Sequence, residues 1–117
     1  MQTDQQKRAR LRKICLALPE AVEIKTFGQP TFKAGKKTFA GFGTSKDRLG
    51  MWFKADPDEH PFLVEQERVS VAHHIGQHGW VVMDLAGELD WEEIEDLVTT
   101  SYRLAALRRM LKVLDTS

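Results

Sequence analysis

Thr31-Phe32-Lys33-Ala34-Gly35-Lys36-Lys37-Thr38-Phe39-Ala40-Gly41-Phe42, followed after Gly43-Thr44-Ser45-Lys46-Asp47 by Arg48-Leu49-Gly50-Met51-Trp52-Phe53-Lys54, decides how this chain is read. Aromatic and β-branched residues on either side of Gly35-Lys36 make the first stretch a β-hairpin. Gly43 to Asp47 reads as a second turn, and Arg48 to Lys54 returns as another strand. In that strand Leu49, Met51 and Phe53 share one face, while Arg48, Gly50, Trp52 and Lys54 share the other, since successive strand side chains point to opposite sides. Gly41, Gly43 and Gly50 predict bends, bulges or close backbone approach in a curved antiparallel sheet.

The flanks supply helices. Leu11, Ile14, Cys15 and Leu18 recur at helical spacing, predicting a helix from about Thr3 to Leu18 that Pro19 ends. Val22 to Phe27 is a further β-rich segment. Beyond Lys54, Asp56-Pro57-Asp58-Glu59 has the marks of a helix start, with Pro61 competing to move it, and a short helix runs to about Glu67. Val69 to Val71 is a connector or a short strand, and Gly79 to Leu85 is a strand. Asp90 caps the last major helix, with Glu93 three residues on and Trp91, Ile94, Leu97, Val98, Tyr102 and Ala105 as its apolar stripe. A basic helical segment with Arg108, Arg109 and Lys112 closes the chain, either continuous with that helix or separate. The order is α-β-β-β-β-α-β-α: an α+β fold, helices on an antiparallel sheet, in a single domain over residues 1–117.

Composition agrees. Of 117 residues, 42% are apolar and 29% charged, a soluble globular balance with room for one domain. No apolar run approaches the ~20 residues that span a bilayer, and the start lacks signal-peptide character. The expected location is the cytosol, with no membrane partner. One cysteine, Cys15, excludes an internal disulfide and a thiolate zinc site, and its place on the apolar stripe makes it a core residue. The zero net charge conceals a polarity. Residues 1–54 hold twelve Lys and Arg against four Asp and Glu, a net of +8; residues 55–117 hold five against thirteen, a net of −8. Such asymmetry marks either a basic face for an anionic partner or two halves that neutralise each other.

The ordered landmarks Leu18-Pro19-Glu20-Ala21, Thr26-Phe27-Gly28-Gln29-Pro30-Thr31-Phe32-Lys33, Gly35-Lys36-Lys37-Thr38-Phe39-Ala40, Met51-Trp52-Phe53-Lys54, Gly79-Trp80-Val81, Gly87-Glu88-Leu89-Asp90-Trp91 and Ser101-Tyr102-Arg103-Leu104 carry a resemblance. The chain resembles the MmcQ/YjbR proteins over Leu11 to Met110. The resemblance implies a compact α/β sandwich of CyaY/frataxin-like shape, with β-hairpins described as a double wing, and DNA binding as the function. Two places depart from the family's pattern. His73-His74-Ile75-Gly76 stands where an aromatic often precedes the glycine, and Ala105-Ala106-Leu107-Arg108-Arg109 stands where a proline-lysine pair is common.

Candidate phosphate contacts are Lys25, Lys33, Lys36, Lys37, Lys46, Arg48 and Lys54 in the hairpins, with Arg10 and Arg12 of the first helix. Cations spaced along a surface displace condensed counterions from DNA. The same lysines also suit solubilising charges on exposed strand edges. The scarcity of Arg in the hairpins argues against base-specific bidentate readout. His73, His74 and His78 lack a carboxylate or thiolate partner nearby and read as a surface loop; Glu92, Glu93, Glu95 and Asp96 read as helix capping and solvation. Trp52, Trp80, Trp91 and Phe53 are either a stacking platform or partly buried core. No glycine-rich phosphate loop, nucleophile elbow or paired carboxylates appear, so no enzyme activity and no cofactor are expected. The expectation is a non-sequence-specific DNA-binding domain. The alternatives are a protein-interaction or adaptor domain, homodimerising or binding another protein, and more remotely a frataxin-like metal handler.

Overall fold

A computed structural model describes residues 2–72 and 78–116. Helix α1 (Asp4–Leu16) opens on a reciprocal cap in which Thr3 Oγ1 accepts from Gln6 N and Gln6 Oε1 accepts from Thr3 N. Four strands follow as a meander: β1 (Ala21–Thr26), β2 (Gln29–Ala34), β3 (Lys37–Ser45) and β4 (Arg48–Lys54). After α2 (His60–Leu63) come β5 (Val69–Val71) and β6 (Trp80–Asp84), then helices α3 (Trp91–Ala105) and α4 (Arg108–Asp115). The sheet order is β1-β2-β3-β4-β6-β5, and every neighbouring pair is antiparallel. This is the expected α+β architecture, with a short strand added and the last helix divided.

Three boundaries differ from the sequence reading, and a fourth that it left open is settled. Helix α1 stops at Leu16, with Ala17 as its cap, before Pro19 exerts its effect. Strand β3 continues through Gly43-Thr44-Ser45, so the turn shrinks to Lys46-Asp47, both left-handed (φ 52° and 64°). Two left-handed residues form the tight turn whose twist matches that of the flanking strands. The short helix starts at His60 with Pro61 in its first turn, the later of the two starts the sequence allows, and ends at Leu63 instead of about Glu67; before it, Asp58 N donates to Asp56 Oδ1 in a local turn. Ala106 and Leu107 are extended (ψ 151° and 156°), which separates α4 from α3.

The helices cover one sheet face. Phe32, Phe42, Leu49, Met51, Phe53, Val81 and Met83 meet Leu11 and Cys15 of α1 and Ile94, Leu97, Val98 and Tyr102 of α3, all buried. The alternation in β4 is as the sequence dictates. Pairing of β2 with β3 shifts between Phe32 and Lys33, leaving Phe39 as the extra residue of a bulge. Phe39 is fully buried and meets the Tyr102 ring edge-on at 5.3 Å. Ser101 ties α3 to this bulge: its Oγ donates to Phe39 O at 2.5 Å and accepts from Lys54 N at 2.9 Å. Lys7, buried on α1, donates to Leu85 O at 2.6 Å and Gly87 O at 2.8 Å, closing the loop after β6 against the helix.

Two buried acids contribute stability that rising pH removes. Burial, and then the Glu23 charge, pushes the Cys15 thiol from 9.0 up to about 12. Burial, and then the Glu20 charge, raises the Tyr102 phenol above its usual 10.0. Both shifts favour the protonated form in the folded chain, so unfolded chains lose these protons first. Their contribution is therefore fully present below about pH 9 and lost as pH rises towards about 12. The melting temperature should hold steady between about pH 7 and 8.5 and fall between about pH 9 and 11. Cys15 should resist alkylation at about pH 8 until the chain unfolds, because the thiolate is the reactive form.

Candidate nucleic-acid interface

A meander places successive turns at alternate ends of its sheet. The β1–β2 turn (Phe27-Gly28) and the β3–β4 turn (Lys46-Asp47) therefore share one end, and the β2–β3 turn (Gly35-Lys36) lies at the other. This divides the predicted contacts. Lys25, Lys46 and Arg48 fall at the first end; Lys33, Lys36, Lys37 and Lys54 fall at the second; Arg10 and Arg12 belong to the helix layer. The nine cations do not share one surface.

Their partners divide them further. Arg12 Nε lies 2.8 Å from Glu23 Oε1, and that hydrogen bond, together with its charge, raises the guanidinium's affinity for its proton. Arg48 Nη1 lies 2.6 Å from Asp84 Oδ2 across the open side of the sheet. Arg10 stacks on the Trp91 ring at 4.7 Å, and Arg12 also lies over the Phe42 ring at 5.9 Å. Among the described residues, Lys33, Lys36, Lys37 and Lys54 are in no ion pair. Lys33 and Lys54 both project on the helix-free face at the second end, about 10 Å apart across two strand spacings.

Helix α4 adds cations that the sequence reading left out of the site. A Cβ at Gly35 would touch Leu107 Cδ1 at 3.4 Å, so the start of α4 packs against the β2–β3 turn. Arg108 and Arg109 thereby come to the same end as Lys36 and Lys37, and no acidic residue occupies the first turn of α4. Arg109 is held by Glu20 at 2.9 Å, a bond that lowers the Glu20 carboxyl below its usual value. Arg108 is in no ion pair among the described residues. Its basic character was plain in the sequence. Its position was not, because that depends on the break at Ala106-Leu107.

The helix-free face carries the other candidate groups. Trp52, Trp80 and Val82 are half-buried there, beside Gln29, Thr31 and Ser70. A Cβ at Gly41 would collide with the Trp52 indole, and one at Gly43 with the Gln29 side chain. These glycines thus serve close approach, one of the roles expected of them, while the bulge falls at Phe39. Of the four aromatic residues considered for stacking, Phe53 is fully buried in the core and Trp91 is engaged by Arg10 and by Gln2, whose Oε1 accepts from Trp91 Nε1 at 2.7 Å. Trp52 and Trp80 remain on the open face.

His73 and His74 lie outside the described residues. No group of three or more His, Cys, Asp and Glu side chains among the described residues is placed to hold a metal ion. No helix of the described residues is long and apolar enough to cross a membrane.

A six-stranded antiparallel sheet, with helices on one face and, among the described residues, the other left open with lysines at one end, defines a small α+β sandwich. The YjbR family model matches residues 16–104, and the chain belongs to that family. It is similar to the crystal structure of Deinococcus radiodurans protein DR2400, which carries a DUF419 domain: 25% identity, 98% of this chain and 92% of that one, TM-score 0.76. A Pseudomonas syringae protein shares the fold in crystal form (18% identity, 89% and 99% covered, TM-score 0.66) and in solution (20%, 92% and 95%, TM-score 0.64). No curated protein matches the chain.

Proposed function

We propose that this domain binds DNA weakly and without base specificity, through phosphate contacts, and has no enzymatic activity. The observation that carries the reading is the group of Lys33, Lys36, Lys37, Lys54 and Arg108 at one end of the sheet, none in an ion pair among the described residues. A cation without a protein carboxylate gives its full charge to a phosphate, and each contact releases counterions. Lys25 and Lys46, at the opposite end, are left out of the contact surface, and Arg12 and Arg48 are already engaged by Glu23 and Asp84. Binding without catalysis suits Cys15, whose buried thiol is held far from ionising. Fluorescence anisotropy with a labelled duplex tests the reading. With about four to five contacts, affinity should fall by about 150- to 500-fold between 50 and 200 mM salt. Absence of binding at about 50 mM salt, or affinity indifferent to salt, contradicts it.

A second reading rests on the edge strand β1, where Val22 and Ile24 are exposed on the open face and Phe27, at the turn, is fully exposed (100%). An unpaired apolar edge suits a protein partner or a second copy of the chain. Light scattering that shows a dimer in the native chain and a monomer in Ile24→Lys supports this; a monomer in both removes the homodimer.

A further inference from the structure

The open sheet face has a notch towards the end that carries the β3–β4 turn. Gly43 and Gly50 sit directly opposite each other on β3 and β4; the Gln29 side chain covers Gly43, and Gly50 leaves the space beside it open. The result is a cavity of about 460 Å³, walled by Trp52, Gln29, Val82 and Ser70, with Arg48 and Arg68 at its rim. Its size falls within the range of small-ligand sites. Gly50 has no backbone need to be glycine: its φ is not left-handed, and a Cβ there would meet Val82 Cγ1 only at 3.4 Å. What its missing side chain leaves is space.

The charge at the rim selects the occupant. Arg48 is paired with Asp84, and Arg68 Nη1 reaches Asp84 O at 3.4 Å, with Glu67 beside it. Two guanidiniums against two carboxylates leave no net charge to hold a free anion. A flat, neutral heterocycle with donor and acceptor edges fits better. The Trp52 indole offers a π-face, and the Gln29 amide and Ser70 hydroxyl offer both donor and acceptor atoms. The unpaired lysines Lys33 and Lys54 lie on the same face, and Arg48 to Lys54 spans about 20 Å of strand. We propose that the notch takes an unstacked base of a single DNA strand, whose phosphates run along this face to Lys33 and Lys54. This rests on the nucleic-acid reading above and adds strandedness to it, since a paired base cannot enter the notch.

The test compares oligothymidylate of about twelve nucleotides, a duplex of equal length and thymidine monophosphate, by tryptophan fluorescence and anisotropy. The single strand should quench tryptophan emission and bind at least tenfold more tightly than either the duplex or the mononucleotide. Gly50→Val, which fills the notch with a residue that suits a strand, should lose that tenfold while leaving duplex binding unchanged. Trp52→Leu, a second variant that keeps apolar bulk without the π-face, should lose both the quench and the preference. Equal binding of single strand and duplex, unaffected by either variant, overturns the notch and leaves the phosphate reading standing. Equal quenching by the mononucleotide overturns the strand in favour of a free nucleotide. No binding of any probe overturns both.

Discussion

Tyr102→Ala should destabilise the chain by about 3–5 kcal/mol, the loss expected for truncating a fully buried aromatic. Three connections end on this one side chain. The ring is fully buried between α3 and the sheet, and it meets Phe39, the bulged residue of β3, edge-on at 5.3 Å. Its hydroxyl donates to Pro19 O at 2.6 Å, fixing the connection between α1 and β1. Removing the ring opens a cavity where helix, bulge and connection converge. For a chain of this length the melting temperature should drop by roughly 10–20 °C. Tyr102→Phe keeps the ring and loses only the bond to Pro19, so it should cost about 1 kcal/mol. Thermal unfolding of the two variants separates packing from hydrogen bonding. Equal losses would show that the ring's packing has been misjudged.

Replacing Lys33, Lys36 and Lys37 together with Ala should remove nearly three units from the slope of log affinity against log salt for duplex DNA. At about 50 mM salt this amounts to a hundredfold loss or more. All three side chains are half-buried or exposed and in no ion pair among the described residues, so the melting temperature should change little. The matched control is Lys25→Ala with Lys46→Ala, cations at the opposite end of the meander, where the slope should barely move. A decline in both variants alike would mean that DNA samples total charge rather than one end of the sheet.

Much of the fold was legible because its signals are local. The alternation Leu49, Met51, Phe53 against Arg48, Gly50, Trp52, Lys54 fixes which face of β4 is inside, and Asp90 marks the start of α3 by capping Glu93 N. The failures came where local and tertiary signals compete. Gly43-Thr44-Ser45 has the composition of a turn, yet pairing with Arg48 to Gly50 holds it in β3 and leaves Lys46 and Asp47 to make the turn in left-handed conformations. Lys7, a charge that no local pattern in α1 marks out, is buried because two carbonyls after β6 satisfy its ammonium.

The candidate site was legible in its residue types and not in its grouping. Counting hairpin lysines as one set ignores that consecutive hairpins point in opposite directions, which separates Lys25 and Lys46 from Lys36 and Lys37. Pairing across the sheet removed Arg48, since Asp84 lies on the neighbouring strand but 36 residues away in sequence. The break before α4 brought in Arg108, whose neighbour Leu107 rests on Gly35. Each of these is a long-range contact that no window of sequence contains.

The claim that one end of the sheet is the phosphate surface is tested most directly by backbone amide shifts during titration with a short DNA duplex at low salt. The account predicts that shifts gather at residues 33–37, 54 and 107–109 and fade as salt is added, while 25–28 and 45–48 stay still. Shifts confined to the Lys46-Asp47 end, scattered over the whole molecule, or absent throughout would contradict it.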